Sequence, residues 1–417
     1  MGTSLADCIL IGVDGGASKV RACSVRRRRN DSSRLYLGHE QAVRIYPSVP
    51  GFCPVSGAVQ ATQRQAGTIH LTESELAQGA AYAQATADAV AQVAADAGIP
   101  AGTRLPVGAT GGLPTSVFVR NVSPSQRPVL VGVCMAGLKS ADGRGIEQMN
   151  NGPRIPDYLD QLEAGLGERG IVLVAPIARL SSDADCCGLG EQFGEDGLFA
   201  GVDNAYYVGG GSGLADALKL NGRVIPFDDV SAWLLKSWQL GTAGGQTFEE
   251  RISLRAMNAR WAKLLGHDVE DPEHRVERQA AAGDVRAATV LGDVATALAE
   301  LIFERIETVY RGRTTATGRG KAYMKLKPDH AFRGTLLDRV VIGQRLGSLF
   351  GDQRLTPHFR QPVEHALGDL FVRCDDPALR HRYLSDVGLV SDLLRPSTLA
   401  GAPVIGAIVA AMNATSK

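Results

Sequence analysis

The sequence lacks the features that mark several large classes of protein. Its seven cysteines, in 417 residues, include no Cys-x-x-Cys pair, and an odd number argues against a full disulfide framework. No apolar stretch reaches the 18 residues of a membrane-spanning helix, and no basic segment followed by an apolar core begins the chain. Because 44 basic and 44 acidic residues cancel, no overall field attracts nucleic acid. We therefore expect a cytoplasmic protein that binds neither membrane nor nucleic acid.

One run of like charge stands out against this balance. Residues 26–29 are four consecutive arginines, and residues 30–33 after them form a turn-like Asn-Asp-Ser-Ser sequence. We interpret the arginines as the solvated tip of a hairpin. Contact with a partner or an anion is the alternative.

Small residues that follow short apolar runs are the most informative feature of the chain. They occur in four segments, at residues 11–19, 181–185, 206–213 and 340–347. A β-branched run followed by glycine and a small hydroxyl residue lets backbone N–H groups approach an anion closely. The second segment is an acidic step with Asp183 and Asp185. Two glycine loops with a carboxylate between them, in this order, indicate phosphoryl transfer.

Apolar strands alternate with helical stretches, which indicates the α/β class with mixed sheets. We predict a hairpin from residues 8–13 and 20–25, and buried strands at 129–134 and 171–177. Helices are predicted at residues 72–98, 157–168, 247–266 and 283–310. Residues 312–335 have little periodicity and are interpreted as an inserted surface loop, with a flap over the active site as the alternative.

The sequences of the four segments resemble those of the ROK family of sugar kinases, within the actin-like ATPase group. Residues 14–19 are similar to the family's Asp-x-Gly-Gly-Thr-Lys opening, and residues 182–191 to its central Asn-Asp-Ala-Asn string that ends in Leu-Gly-Glu. Residues 209–213, followed by Asn221-Gly222, resemble its second phosphate loop, and residues 396–407 its ending. The resemblance implies a two-domain α/β fold of the actin-like ATPase (ribonuclease H-like) type, with an active-site cleft between the domains.

The resemblance also implies how the chain divides. The N-terminal α/β domain, with the first phosphate loop, is expected at residues 1–150. The C-terminal α/β domain, with the second phosphate loop and the adenosine loop, is expected at residues 151–395. A turn-rich hinge is expected at residues 150–156, and a helix at 396–415 is expected to pack back on the first domain.

The same resemblance implies roles for three aspartates in an ATP- and Mg²⁺-dependent reaction. Asp183 matches the catalytic base, which also contacts substrate; the alternative is that it caps a helix starting near Ala184. Asp14 matches the aspartate that holds Mg²⁺, usually through water, with a turn aspartate as the alternative. Asp185 replaces an asparagine of the family, and both a substrate contact and a surface position remain open.

Further residues would bind ATP. The positions that match the phosphate loops are Gly15, Gly16, Ser18, Lys19, Gly209, Gly210, Gly211, Ser212 and Gly213. Gly343 and Gly347 match the segment that packs on adenosine. A tight turn without a ligand is the alternative for the run 209–213.

The substrate pocket is expected to differ from that of typical family members. Asn150 or Asn151 stands where the family binds a sugar hydroxyl, and Glu249 matches a sugar-binding glutamate. The alternative for Glu249 is a glutamate favoured by a helix dipole.

The family's zinc-binding residues are missing. No histidine lies between His70 and His267, and no cysteine lies between Cys187 and Cys374. We therefore expect no zinc site and an altered acceptor.

The resemblance favours a small polyol substrate, either a sugar or a sugar-like cyclitol, as in kinases of C7-cyclitols. An amino-sugar or N-acetylhexosamine kinase is the alternative. Outside this class, an actin-like ATPase that activates a partner enzyme and a non-catalytic sugar-sensing ROK protein stay open. A homodimer is compatible with the family. Whether Asp185, Asp228 or Asp229 contacts substrate is not decided by the sequence.

Overall fold

A computed structural model describes residues 8–98, 127–149, 151–269, 271–314 and 318–415. Contacts between residues divide the chain into two compact units. Unit 1 is Met1–Glu195 together with Gly401–Lys417, and unit 2 is Asp196–Ala400. The boundary predicted at residue 150 thus falls inside unit 1, because the next 45 or so residues complete its sheet and its helical layer.

Unit 1 has seven described strands, five of which form one mixed sheet. Its strands are β1 (Ile9–Gly15), β2 (Lys19–Arg27), β3 (Leu35–Ile45), β4 (Val129–Met135), β5 (Leu138–Lys139), β6 (Ile146–Gln148) and β7 (Ser181–Ser182). The sheet order is β3-β2-β1-β4-β7, and β5 pairs separately with β6. The strands β1, β4 and β7 are parallel, whereas β2 and β3 form an antiparallel meander with β1. The predicted hairpin and the predicted strand at 129–134 are confirmed.

Among the described residues, four α-helices of unit 1 precede unit 2 in the chain. They are α1 (Gly57–Gln65), α2 (Glu73–Asp96), α3 (Tyr158–Glu168) and α4 (Asp183–Phe193). Thr72 caps α2 by accepting a hydrogen bond from the Glu75 N–H, and an alanine-rich face of this helix is buried. The helices predicted at 72–98 and 157–168 are confirmed.

The prediction of a buried strand at residues 171–177 is wrong. Within the described residues this stretch makes an isolated bridge to the start of β4 and no ladder. The Ile177 N–H donates to Glu163 Oε1 at 2.7 Å, and Arg144 donates to the Ile177 carbonyl at 2.7 Å. Because side chains take these backbone groups, the apolar run does not continue as a strand.

Unit 2 repeats the sheet architecture of unit 1. Its strands are β8 (Ala205–Gly210), β9 (Leu214–Leu220), β10 (Arg223–Ile225), β11 (Arg339–Gly343), β12 (Leu384–Ser385), β13 (Gly388–Leu389) and β14 (Leu394–Pro396). The sheet order is β10-β9-β8-β11-β14, and β12 pairs with β13 apart from it. The strands β8, β11 and β14 are parallel, and β9 and β10 continue the sheet antiparallel to β8.

The helices of unit 2 surround one long central helix. They are α5 (Phe248–Ile252), α6 (Leu254–Leu265), α7 (Val276–Ala281), α8 (Val285–Arg311), α9 (Lys321–Met324), α10 (Gln344–Gly351), α11 (Gln361–Arg373) and α12 (Pro377–Tyr383). Helix α8 confirms the prediction at 283–310. The single helix predicted at 247–266 is interrupted at Ser253, which has an extended ψ of 151° and caps α6.

Residues 312–335 were expected as a surface loop, and their described part is instead anchored in the core of unit 2. Tyr323 and Leu326 are buried there. The ring of His330 stacks on Trp233 with 3.7 Å between centroids. These apolar contacts explain why a segment with little periodicity is held against the unit.

The C-terminal helix α13 (Ala402–Thr415) belongs to unit 1. It begins later than the predicted 396 because residues 394–396 form β14 in unit 2. Helix α13 contacts β1, β4 and α4. A Cβ atom on Gly12 would collide with the Val404 carbonyl, and one on Gly132 with the Ala407 carbonyl, so the helix lies directly on the sheet. Among the described helices, none is both long and apolar enough to cross a bilayer.

Candidate active site

Two carboxylates lie at one edge of the unit 1 sheet. Asp14 is near the end of β1 and pairs in register with Cys134 of β4, which in turn pairs with Ser181 of β7. Asp183 follows β7 directly. Since neighbouring strands are about 4.8 Å apart, the backbones of Asp14 and Ser181 are about 10 Å apart, and Asp183 is two residues beyond Ser181. The carboxyl ends of parallel strands are where α/β sheets commonly hold ligands.

The surroundings of Asp14 suit a divalent cation. The pKa of Asp14 is raised from 3.8 to about 6, mainly by burial and secondly by the nearby charge of Asp183. The Cys134 thiol, which donates to Asp14 Oδ1 over 3.7 Å, acts in the opposite direction. A cation would offset the repulsion between the two carboxylates, and carboxylate oxygens are ligands that Mg²⁺ prefers. The described residues contain no group of three or more His, Cys, Asp or Glu side chains that could hold a metal ion. The two carboxylates therefore fit Mg²⁺ only where water supplies most of its ligands.

Asp183 is the first residue of helix α4. The cap of this helix is Ser182, whose Oγ accepts a hydrogen bond from the Asp185 N–H at 3.4 Å. The alternative in which Asp183 is itself the cap is therefore wrong. Its half-buried carboxylate instead stands in the first turn, where the helix dipole stabilises negative charge.

The first glycine loop joins β1 to β2. Gly15 is buried, and a Cβ atom there would collide with the Met135 side chain, so packing explains this glycine. The Gly16 N–H donates to the Lys19 carbonyl at 3.0 Å and closes the turn. Ser18 and Lys19 are exposed. Ser18 and Lys19 are therefore the loop side chains with most access to a ligand in solution.

The second glycine loop joins β8 to β9 in unit 2. The Gly211 N–H donates to the Gly213 carbonyl at 2.9 Å, and the Leu254 N–H at the start of α6 donates to the Gly211 carbonyl at 3.0 Å. Ser212 at the tip is exposed. A Cβ atom on Gly211 would meet Gln344 Oε1 at an ordinary distance of 3.7 Å. Packing therefore does not explain the glycine at position 211.

Other glycines of unit 2 are required by their neighbours. A Cβ atom on Gly209 would lie 2.7 Å from the Tyr207 hydroxyl, and one on Gly343 would collide with the same ring. A Cβ atom on Gly210 would collide with Leu346, and one on Gly347 with the Ile342 carbonyl. These four glycines allow β8, β11 and α10 to approach closely.

Glu249 supports the second glycine loop. Its Oε2 accepts a hydrogen bond from the Leu214 N–H at 2.9 Å, and Arg255 lies 3.6 Å from its Oε1. A Cβ atom on Gly213 would lie 2.7 Å from Oε2. Burial raises the pKa of Glu249 above its ordinary value. The structure thus joins Glu249 to the loop, and its role in substrate binding stays a prediction.

The two asparagines proposed for substrate binding are not both described. Asn150 lies outside the described residues, and Asn151 is exposed in a turn. Arg154, three residues on, is buried and pairs with Glu75 of α2 at 2.7 Å. The predicted hinge at 150–156 therefore contains a residue fixed within unit 1.

A buried carboxylate organises the segment where the sequence lacks zinc ligands. Asp216 in β9 accepts hydrogen bonds from Ser237 N at 2.7 Å and Ser237 Oγ at 2.6 Å, and Arg305 lies 3.4 Å away. Lys236 pairs with the exposed Asp228 at 2.7 Å. The buried Asp216 contacts therefore fix this segment on the sheet of unit 2.

A cavity of about 420 Å³ lies between α7 and α10 in unit 2. Its lining includes Glu277, Ala281, Arg345, Ser348, Leu349 and Leu355. Glu277 and Arg345 form an ion pair. Helix α10 follows Gly343 directly, so the cavity adjoins the segment expected to pack on adenosine.

Several solved structures with a similar fold are ROK-family proteins. The chain is similar to the ROK hexokinase of Thermus thermophilus, with 15% identity, a TM-score of 0.50 and 98% of this chain and 99% of that one covered. It is also similar to a ROK glucokinase of Streptomyces griseus in complex with glucose and AMPPNP, with 13% identity, a TM-score of 0.51 and 97% and 99% covered. A ROK protein of Streptococcus pneumoniae in complex with sucrose has 14% identity, a TM-score of 0.50 and 98% and 99% covered.

The chain has the actin-like ATPase fold. No protein-family model matches the sequence, and no curated protein matches it. At 13–15% identity, the likeness to these kinases shows the fold.

Within the actin-like fold, the sequence did not single out three contributors to the site. Cys134 could have been found, since it ends an apolar run that pairs in register with the run ending at Asp14. Tyr207 lies in the glycine segment at residues 206–213. Its contact with both Gly209 and Gly343 depends on the pairing of β8 with β11. The ion pair of Glu277 and Arg345 joins residues 68 positions apart and leaves no local signal.

Proposed function

We propose that the chain is an ATP- and Mg²⁺-dependent kinase that phosphorylates a hydroxyl of a sugar or a sugar-like cyclitol. The observation that carries this proposal is the placement of Asp14 and Asp183 at the ends of parallel strands on one sheet edge. The shared fold adds support, because the Streptomyces griseus glucokinase with this fold binds glucose and AMPPNP.

The two carboxylates would divide the chemistry between them. Asp183 would accept the proton of the acceptor hydroxyl as its oxygen bonds to phosphorus. Asp14 would hold Mg²⁺, with water between them as in the resembling family. When bound, Mg²⁺ supplies positive charge that neutralises the phosphate oxygens. Since the pKa of Asp14 is about 6, we expect its ionised form to dominate above that pH.

Each unit, taken by itself, offers a candidate loop for the phosphates of ATP. In unit 1, the Gly16 backbone and the Ser18 hydroxyl would approach the phosphates, and in unit 2 those of Gly211 and Ser212 would do so. Gly343 and Gly347 would adjoin adenosine. The cavity beside α10 is within the 300–1,000 Å³ range of small-molecule sites.

The acceptor would be a polyol other than plain glucose. In resembling kinases a zinc-bound histidine contacts the sugar, and the corresponding stretch here is organised by Asp216 and Ser237. A site that pairs buried hydroxyl groups discriminates strongly between acceptors, so a change of these groups changes the substrate. Amino sugars and N-acetylhexosamines are the alternative acceptors.

The first experiment measures ADP release from Mg-ATP with hexoses, N-acetylhexosamines, amino sugars and C7-cyclitols. Strong stimulation by one class is expected. In Asp183→Asn, the stimulated turnover should fall by roughly 10²- to 10⁴-fold, the usual contribution of a positioned general base. Nucleotide binding by this variant should remain.

The matched control is Asp88→Asn. Asp88 is an exposed aspartate of unit 1 that pairs with Arg169 at 2.7 Å, and its loss should leave turnover unchanged. Full stimulated turnover in Asp183→Asn would refute the assignment of the base. Absence of stimulation by every acceptor, with ATP bound, would favour an ATPase that acts on a partner.

A further inference from the structure

The cavity between α7 and α10 has the size and the chemistry to hold a nucleobase. Ala281, Leu349 and Leu355 give it apolar walls, which suit the faces of a purine ring. Most of the other lining residues are charged, and Gln279 and Ser348 add neutral polar groups. The cavity volume of about 420 Å³ is within the range of small-molecule sites.

The cavity adjoins the start of α10, where the chain changes direction sharply. Gln344, directly after Gly343, has a φ of +53°, in the left-handed region that side chains seldom adopt. Arg345 and Ser348, one and four residues further on, line the cavity. With a rise of about 1.5 Å per residue, they lie within about 6 Å along the helix from that turn.

One carboxylate of the cavity is buried. The Glu277 side chain is 8% exposed, and its partner Arg345 is 42% exposed. At the rim, Glu273 pairs with Arg278, and both are more than half exposed. Burial of an ion pair removes charge from water at a cost that its own attraction often does not offset. A carboxylate kept there despite this cost is suited to accept a hydrogen bond from a ligand.

We propose that Glu277 selects adenine over 6-oxopurines by accepting a hydrogen bond from the 6-amino group, with Arg345 positioning the carboxylate. This inference rests on the proposed use of ATP. Guanine and hypoxanthine present an oxygen acceptor at position 6, which would face the carboxylate unpaired and be repelled. In this arrangement Glu277, the less exposed of the pair, would face the base edge.

The test measures binding of ADP, GDP and IDP to the full-length protein by calorimetry, with Mg²⁺ and without any acceptor. The wild type should bind ADP roughly 10- to 100-fold more tightly than IDP or GDP, as expected for one hydrogen bond to a charged group. In Glu277→Gln, whose amide can also donate, the ratio should fall toward one. An unchanged ratio in this variant, or no preference in the wild type, would overturn the inference.

Two further variants keep the assignment to Glu277 specific. Glu273→Gln removes an exposed carboxylate from the same cavity and should leave the ratio unchanged. Arg345→Met keeps the apolar stem of the arginine and should retain a preference for ADP. If selectivity is lost in Arg345→Met but not in Glu277→Gln, the arginine recognises the base and the proposal is overturned. If none of the nucleotides binds, the proposed function fails with it, whereas equal binding of all three refutes only the selection of adenine.

Discussion

The two units have sheets of the same order and strand direction, yet the equivalent strand ends carry opposite chemistry. In unit 1, Asp14 of β1 pairs with Cys134 of β4. In unit 2, the equivalent pair is Gly209 of β8 and Gly343 of β11. The first sheet therefore presents a carboxylate at the position where the second presents no side chain.

This difference shows how one topology supports two tasks. At the edge of unit 1, Asp14 and Asp183 gather negative charge that favours a cation. At the edge of unit 2, the missing side chains leave room for the Tyr207 ring. Two kinds of substitution test this difference: one removes the negative charge in unit 1, and the other fills the space beside Tyr207 in unit 2.

The largest expected effect comes from removing the charge in unit 1. In Asp14→Asn, the Mg²⁺ concentration that gives half-maximal kinase activity should rise roughly 10- to 100-fold, as for other groups that hold a metal indirectly. Kinase assays titrated with Mg²⁺ at constant ATP would measure this. Asp142→Asn, an exposed change in the same unit, serves as the control. An unaltered Mg²⁺ dependence in Asp14→Asn would remove Asp14 from the metal site.

A smaller effect is expected from filling the space in unit 2. Gly343→Ala places a Cβ atom against the Tyr207 ring, and overpacking of this kind should lower the free energy of unfolding by about 1–3 kcal/mol. Urea unfolding would measure the loss.

Gly211→Ala is the matched control for this change, since its Cβ atom meets nothing nearer than 3.7 Å. Its stability should stay within about 0.5 kcal/mol of the wild type, while its affinity for nucleotide falls. Equal stability of the two variants would contradict the packing role of Gly343.

A third expected effect is the dependence of stability on pH in unit 1. Between pH 6 and 3.8, folded Asp14 binds a proton that the unfolded chain does not, because folding raises its pKa. Ionised Asp14 therefore costs stability above pH 6, and this cost is absent below 3.8.

Asp14→Asn should accordingly raise the free energy of unfolding by up to about 3 kcal/mol at pH 7.5, measured in chelator. The gain should vanish near pH 4. A gain of the same size at both pH values would show that the ionisation of Asp14 is not its source.

The elements predicted correctly from the sequence are those that a local pattern alone determines. The hairpin around Asp14, the helix capped by Thr72 and the long helix α8 follow from apolar periodicity and from caps that act within a few residues. The roles of Asp14 and Asp183 came from a family resemblance, and their proximity required the strand order β1-β4-β7, which no local pattern contains.

The predictions that failed depended on contacts distant in sequence. The apolar run at 171–177 is not a strand, because Glu163 and Arg144 take the backbone groups of Ile177. The chain near residues 312–335 is anchored because His330 stacks on Trp233. Gly209, assigned from the sequence to a phosphate loop, and Gly343, assigned to the adenosine segment, are also needed to make room for the Tyr207 ring. Only the folded structure reveals this.

The position of α13 has a consequence for how the protein is made. Unit 2 is a continuous stretch, Asp196–Ala400, whereas unit 1 is completed by Gly401–Lys417. During translation, unit 2 can therefore close its core while the sheet of unit 1 still lacks the helix that covers Gly12 and Gly132. Strand β1 is thus synthesised before unit 2, whereas the helix that covers it is synthesised after unit 2.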